Sequence, residues 1–166
     1  MLSLTLGGCG IINNEGSPYV CPNTAILEGP GELVRFTTGS ANAPNDVSFR
    51  SKMKMVSGTC DVDEKNISME LYIAMETLRG PANAKGEAQF AYFVAILDKD
   101  KKILTRTKFP MIAKFKRDET KLEFTEPVTV TIPRKKNTLP EDYMVYMGFE
   151  MTPEELAYNR NRQRIP

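Results

Sequence analysis

Two acidic clusters, at residues 61–66 and 98–100, are the groups of side chains whose spacing could bind a metal ion. Carboxylate oxygens are the ligands that calcium prefers, and both clusters are rich in them. The first lacks the central glycine and final glutamate of a calcium-binding loop, and the second alternates with lysines that neutralise it. We interpret both as solvated hairpin turns, whose acidic residues are Asp61, Asp63, Glu64, Asp98 and Asp100.

Methionine and histidine usage narrows the chemistry further. Methionine thioethers suit Cu(I), but most methionines here fall at core spacing in or beside predicted strands, so we interpret them as core residues: Met53, Met55, Met69, Met75, Met144, Met147 and Met151. Histidine is absent, which excludes Ser-His-Asp and Cys-His catalysis and every histidine-based metal site. We expect no catalytic residue, no metal and no cofactor, and therefore a protein that is not an enzyme.

The segment Leu6-Gly7-Gly8-Cys9 resembles the lipobox of bacterial lipoproteins, in which an aliphatic residue and two small ones precede a cysteine. In that family the cysteine sulfur receives a diacylglycerol and the preceding segment is removed. The resemblance implies that Cys9 is a lipidation site, that residues 1–8 are the remnant of a signal peptide, and that acyl chains attach the protein to a membrane. Gly10, in place of the Asp that favours retention in the inner membrane, implies an outer-membrane lipoprotein facing the periplasm.

Lipidation of Cys9 would leave Cys21 and Cys60 as an even pair, which an exported chain can join in a disulfide. The closed loop would stabilise the fold by roughly 4 kcal/mol in chain-entropy models. The alternative is two buried free thiols in a cytosolic protein. The pair has neither CxxC spacing nor a nearby histidine, so metal-binding and thioredoxin-like interpretations are weak.

Composition sets the domain organisation and excludes nucleic-acid binding. Residues 9–30 are rich in Asn, Gly and Pro and should form the lipid anchor and a tether, followed by one domain at 31–151 and a C-terminal helix and basic tail at 152–166. No stretch approaches 18 apolar residues, so we expect no transmembrane helix. The net charge is +1 and Trp is absent, which argues against a nucleic-acid partner.

The domain itself is predicted to be all β. Apolar and polar residues alternate at 47–55 and 67–76, and the polar turn between them indicates a hairpin. Residues 88–97 are apolar on both faces, which is typical of a central strand covered on both sides. Further strands are predicted at 32–37, 103–109, 112–116, 128–132 and 143–151, with Pro110, Pro127 and Pro133 at strand ends. We expect an antiparallel β-sandwich of immunoglobulin or fibronectin type, with its strand order left open and a small barrel as the alternative.

The chain should end in a short helix that begins at Thr152-Pro153-Glu154-Glu155 and runs to about Asn161. Thr is a good N-cap, Pro suits the first helical position, and a Glu at the third completes a capping box. So short a helix is not stable alone, so it must pack on the sandwich or on a partner. We predict that this segment binds a partner through Leu156, Tyr158, Arg160, Arg162 and Arg164, although a solvated basic tail is the plainer interpretation.

A second resemblance covers most of the chain after Cys9. Residues 90–98 and 148–160, with Cys21-Pro22 and Ala25-Ile26-Leu27, are similar to a group of alphaproteobacterial envelope lipoproteins to which no activity is assigned. The resemblance implies an envelope location. Our hypothesis is a lipid-anchored, periplasm-facing, non-enzymatic subunit that binds another envelope protein or complex. The alternative is a periplasmic small-ligand carrier or a histidine-independent enzyme.

Overall fold

The computed structural model describes residues 11–13, 19–37 and 43–163, without the side chains of 11–13 and 163. Cys9 and Arg164 lie outside these residues. The described elements are β1 (Ile11–Asn13), β2 (Asn23–Ile26), β3 (Glu32–Phe36), β4 (Val47–Val62), β5 (Asn66–Arg79), β6 (Glu87–Leu97), β7 (Ile103–Lys114), β8 (Lys121–Pro133), β9 (Met144–Phe149) and α1 (Pro153–Gln163). No helix among them has the length and apolar character needed to cross a bilayer.

The strands form two sheets that enclose one core. The first has the order β1-β4-β5-β8, with β3 also paired to β4, and the second has the order β2-β9-β6-β7. The pairs β1–β4 and β2–β9 are parallel, and the other pairs are antiparallel. The antiparallel β-sandwich with a short C-terminal helix that the sequence predicts is therefore confirmed.

The two predicted hairpins form the centre of the sandwich. In β5 the alternate residues facing the other sheet are at most 1% exposed: Ile67, Met69, Leu71, Ile73 and Met75. Opposite them, β6 contributes Phe90, Tyr92, Val94 and Ile96 to the same core. On the other face of β6, Phe93, Ala95 and Leu97 form a second buried cluster with Leu27, Met144 and Tyr146. The double-sided burial predicted for β6 is thus confirmed.

The interpretation of Met55 as a core residue is wrong. The register between β4 and β5 shifts between Met53 and Met55, so that two residues of β4 lie where a regular strand would have one. This bulge reverses the alternation: Val56 enters the core, while Met55 points outward and is 53% exposed. The prediction failed because a bulge breaks the period of two on which it was based.

The predicted tether at 9–30 is too long at its C-terminal end. Strand β2 pairs with β9, and Ile26 packs against the main core, so residues 19–30 belong to the folded body. Pro30 extends this attachment, because its carbonyl accepts a 2.7 Å hydrogen bond from Phe149 N–H. A four-residue strand paired with a strand about 120 residues later leaves no local periodicity to detect.

Two of the prolines expected at strand ends lie within strands. Pro110 interrupts neither β7 nor its pairing with β6, so the separate strands predicted at 103–109 and 112–116 are one strand. Pro127 lies inside β8, opposite Tyr72. Both β7 and β8 are edge strands, and an edge strand tolerates a missing N–H that points away from its neighbour.

Candidate functional site

The C-terminal helix begins with the capping box that the sequence predicts. Glu155 N–H donates to Thr152 Oγ1 at 3.2 Å, and Thr152 N–H donates to Glu155 Oε2 at 2.9 Å. Glu155 also accepts a 2.9 Å hydrogen bond from Arg35 Nε on β3. One carboxylate therefore caps the helix and attaches its first turn to the edge of the first sheet.

A buried asparagine attaches the next turn. Asn159 is 2% exposed, and its Nδ2 donates to the carbonyl oxygens of Gly29 at 3.0 Å and Glu32 at 2.6 Å. These carbonyls belong to the segment that leads into β3, so the asparagine satisfies backbone acceptors that β3, lying at a sheet edge, does not pair. The helix thereby covers the β3 edge of the sheet.

Most of the residues predicted to bind a partner contact the sandwich. Tyr158 is partly buried and makes an edge-to-face contact with Phe36 at 5.1 Å between ring centroids. Leu156 lies against Gly29, where an added Cβ would be 3.2 Å from its Cδ1. Arg162 forms an ion pair with Glu32. Arg160 is exposed. Whether any of these side chains also contacts a partner stays a prediction.

An open cleft of about 530 Å³ lies beside this helix, at the end of the sandwich where β3 and β4 face β6. Phe36 and the buried Phe49 form its apolar wall, and Arg35 stacks over the Phe49 ring at 5.6 Å. Asn83, Lys85, Glu87 and Gln89 form the polar side. Asn83 bridges its own loop, since its Nδ2 donates to Glu87 O and its Oδ1 accepts from Gly86 N–H. Among the lining residues, Glu87 alone is acidic, so the cleft brings no carboxylates together.

The two acidic clusters stabilise hairpin turns, as the sequence predicts. Asp63 accepts hydrogen bonds from the N–H groups of Lys65 and Asn66, and these bonds hold its pKa below the ordinary value. Asp98 accepts from Lys102 and Asp100 N–H in the β6–β7 turn, where the backbone bonds likewise lower its pKa. In the described part of the chain, no group of three or more Asp, Glu, Cys or His side chains could hold a metal ion.

The remaining cysteines form the disulfide that the sequence allows. Cys21 and Cys60 are joined with a Cα–Cα distance of 5.9 Å. Cys21 precedes β2 of the second sheet and Cys60 lies in β4 of the first, so the bond connects the two layers. Residues 22–59 are closed into a loop by this bond.

Sequence reasoning missed the residues that position the helix and the charge of one sheet edge. Asn159 gave no signal beyond its place on the helix, because only the tertiary structure shows which face is buried. The basic residues of β7 were visible in the sequence, but their alignment on an edge strand was not.

No family model, curated protein or solved structure matches this chain.

Proposed function

We propose that this protein is a lipid-anchored lipoprotein of a bacterial envelope, facing the periplasm, which acts as a non-enzymatic binding or accessory subunit of an envelope complex. The observation that carries the proposal is the Cys21–Cys60 disulfide. Disulfides persist in oxidising compartments and are rare in the cytosol, which supports export. The bond also leaves Cys9, in its Leu-Gly-Gly-Cys context, as the odd cysteine of three.

The position of β1 supports attachment close to the membrane. Only Gly10 separates Cys9 from β1, which pairs with Ser57–Thr59 of β4. Two residues span at most about 7 Å, so acyl chains on Cys9 would hold the edge of the first sheet beside the lipid surface.

A binding role is supported by what the charged residues do. Glu32, Glu76 and Glu155 form ion pairs that connect strands or attach the helix. Asp63 and Asp98 close turns. These five acidic side chains therefore have structural roles, which favours a binding protein over an enzyme that uses carboxylates for catalysis.

The anchor can be tested by replacing the lipidated sulfur. We expect Cys9→Ser to move the protein from the membrane pellet to the supernatant, because the acyl chains have no other attachment point in the proposal. Gly10→Asp is the matched control: it preserves the cysteine and should stay in the pellet, redistributed toward the inner membrane by the family's sorting rule. The measurement is immunoblotting of fractionated cells that express each variant.

Intact mass of the chain purified from those membranes gives an independent readout. We expect a mass that begins at Cys9, is raised by acyl chains, and gains two hydrogens on reduction. A mass that begins at Met1 with three free thiols, or a Cys9→Ser variant that still sediments with membranes, would refute the lipoprotein proposal.

The open cleft is the observation that favours the alternative, a periplasmic small-ligand carrier. Its volume lies in the range of small-molecule sites. Of the two basic residues that line the cleft, Arg35 and Lys85, Arg35 is however already bound to Glu155 and to Gln89 O. We therefore place the ligand-carrier function second.

A further inference from the structure

The first half of β7 is exposed to solvent on both faces and along its unpaired backbone edge. All six residues at 103–108 are exposed, although a strand in a sandwich normally buries alternate residues. Phe109 and Met111, further along, pack against the core, so the strand extends past the layer that covers its second half. Ile103 is 57% and Leu104 37% exposed. Within the described fold, this half-strand is held by its pairing with β6 and by the side-chain contacts of Arg106.

The free backbone groups of β7 can be assigned from the ladder. Ala91 O accepts from Glu150 N–H, so the backbone polar groups of Ala91 point toward β9. Its partner across the ladder, Pro110, must then direct its own backbone groups away from β6, toward the free edge. By alternation the N–H and C=O groups of Arg106 and Lys108 also point to the free edge, whereas Pro110 offers no donor there.

This edge is also strongly basic. Residues 101–117 contain seven Lys and Arg residues and no acidic one, although the whole chain has a net charge of only +1. Arg106 is paired with Glu150 at 2.6 Å and stacks on Phe93 at 4.0 Å from the ring centroid. Lys108 and Lys114 form no ion pair within the described residues. Two copies of this edge would repel each other, whereas an acidic segment would be attracted.

The other sheet edges of the described fold are less suited to pairing. Strand β8 carries Pro127 near its middle, and β3 is covered by α1. Strands β1 and β2 have three and four residues. The half-strand at 103–109 combines length, free backbone groups and charge.

The geometry points to residues 103–109 of β7 as a docking edge for an extended, acidic segment of a partner protein, which adds a strand to the second sheet. The exposed Ile103 and Leu104 favour a protein over a polyanion that lacks apolar groups. The choice of a protein over a lipid surface rests on the proposed function. Across the core β4 contacts β2 and β5 contacts β6, so β8, which follows β5 in its sheet, lies on the β7 side of the sandwich, and β1 lies at the opposite end of the sheet that contains β8. An anchor at Cys9 would turn β7 away from its membrane.

The test uses a synthetic peptide as the probe, Glu-Val-Glu-Val-Glu-Val-Glu with a fluorescein label, and the 166-residue chain in solution. Fluorescence anisotropy should show binding that weakens as salt is added. The block peptide Glu-Glu-Glu-Glu-Val-Val-Val has the same charge and composition but cannot alternate along a strand, and we expect it to bind about ten-fold more weakly. Equal binding of the two peptides would overturn strand addition.

Substitutions at Lys108 separate its charge from its backbone. Lys108→Ala removes the charge, and Lys108→Pro also removes the free-edge N–H while sparing the ladder to β6, as Pro110 does. We expect Lys108→Pro to bind the alternating peptide about three- to ten-fold more weakly than Lys108→Ala, the range for one net hydrogen bond. Equal affinities would show that the partner does not pair with the strand.

Two controls complete the experiment. Lys108→Glu should weaken binding by about ten-fold, whereas Lys136→Glu, which makes the same change at another exposed lysine, should have little effect. Equal losses would indicate non-specific charge attraction and overturn the proposal. Phosphatidylglycerol vesicles that bind the chain in preference to the peptide, with Lys108→Glu abolishing that binding, would identify a lipid surface instead. Because the chain is free in solution, failure here leaves the Cys9 anchor untouched.

Discussion

Burial clearly changes the ionisation of one core residue, Tyr92. It lies on the inner face of β6, is 2% exposed, and stacks on Phe109 with 5.0 Å between the ring centroids. Burial, assisted by the negative charge of Glu126, raises its pKa to about 12. In the unfolded chain the same phenol would ionise near pH 10, the ordinary value for tyrosine.

This difference predicts a specific loss of stability at high pH. Between about pH 10 and about 12 the unfolded chain releases the Tyr92 proton while the folded chain retains it, so the free energy of unfolding falls as pH rises. We expect urea midpoints between pH 9 and 11 to fall less steeply for Tyr92→Phe than for the wild type. Tyr72→Phe, at an exposed tyrosine on β5, is the control and should retain the wild-type slope. Identical slopes for all three proteins would contradict the assignment.

At the same scale, the alternation of residue types correctly placed Met53, Met69 and Met75 in the core but failed at Met55. The failure has a physical origin. Apolar periodicity reports which face a residue occupies only while every residue of a strand has one partner, and the bulge after Met53 breaks that correspondence. No residue type at 53–55 marks the bulge in advance.

The start of the C-terminal helix could be predicted from the sequence, but its position on the sandwich could not. Its start was predictable because a capping box is local: Thr152 and Glu155 need only each other. The position of the helix on the sandwich was not predictable, because Asn159 and Tyr158 contact residues more than 100 positions earlier. The same reason explains why β1 and β2, which pair with distant strands, were missed.

Two asparagines on this helix allow a matched test of how the helix is attached to the sandwich. Asn159→Ala removes two hydrogen bonds and leaves the carbonyls of Gly29 and Glu32 without that partner, so we expect a loss of about 1–3 kcal/mol in the free energy of unfolding. Asn161→Ala makes the same change at an exposed position two residues later, and we expect little loss. Chemical denaturation measures both.

Equal stabilities for the two variants would show that the helix does not dock on β3 in solution. A chain that ends at Met151 would uncover the β3 edge and Phe36, so it should fold with reduced stability.

For the whole molecule, the disulfide between the sheets is the main covalent constraint on the sandwich. We expect Cys21→Ser and Cys60→Ser each to lower the free energy of unfolding by about 4 kcal/mol, because each frees the same loop in the unfolded chain. The double variant should be no less stable than either single one. Equilibrium denaturation under non-reducing conditions tests this, and clearly additive losses would mean that the two cysteines do not share a bond.

The sandwich as a whole could be predicted because its long hairpins, β4–β5 and β6–β7, are local in sequence and strongly patterned. The distribution of charge over it could not. A net charge of +1 conceals the basic edge of β7, which becomes visible only when the topology shows which strand is left unpaired. Sequence counts average over the surface, whereas a partner would meet one edge of it.

The bond between Cys21 and Cys60 also decides how the molecule would bear a mechanical load. Tension applied between the N-terminal segment and the C-terminal half passes through the sulfur atoms, so β2, β3 and nearly all of β4 carry none of it. A separation of 39 residues corresponds to about 130 Å of extended chain that pulling cannot draw out. When the protein is held at its N-terminus and pulled at its C-terminal half, β1, which precedes Cys21, and the strands after Cys60 bear the load. Strands β2, β3 and nearly all of β4 form the inextensible part.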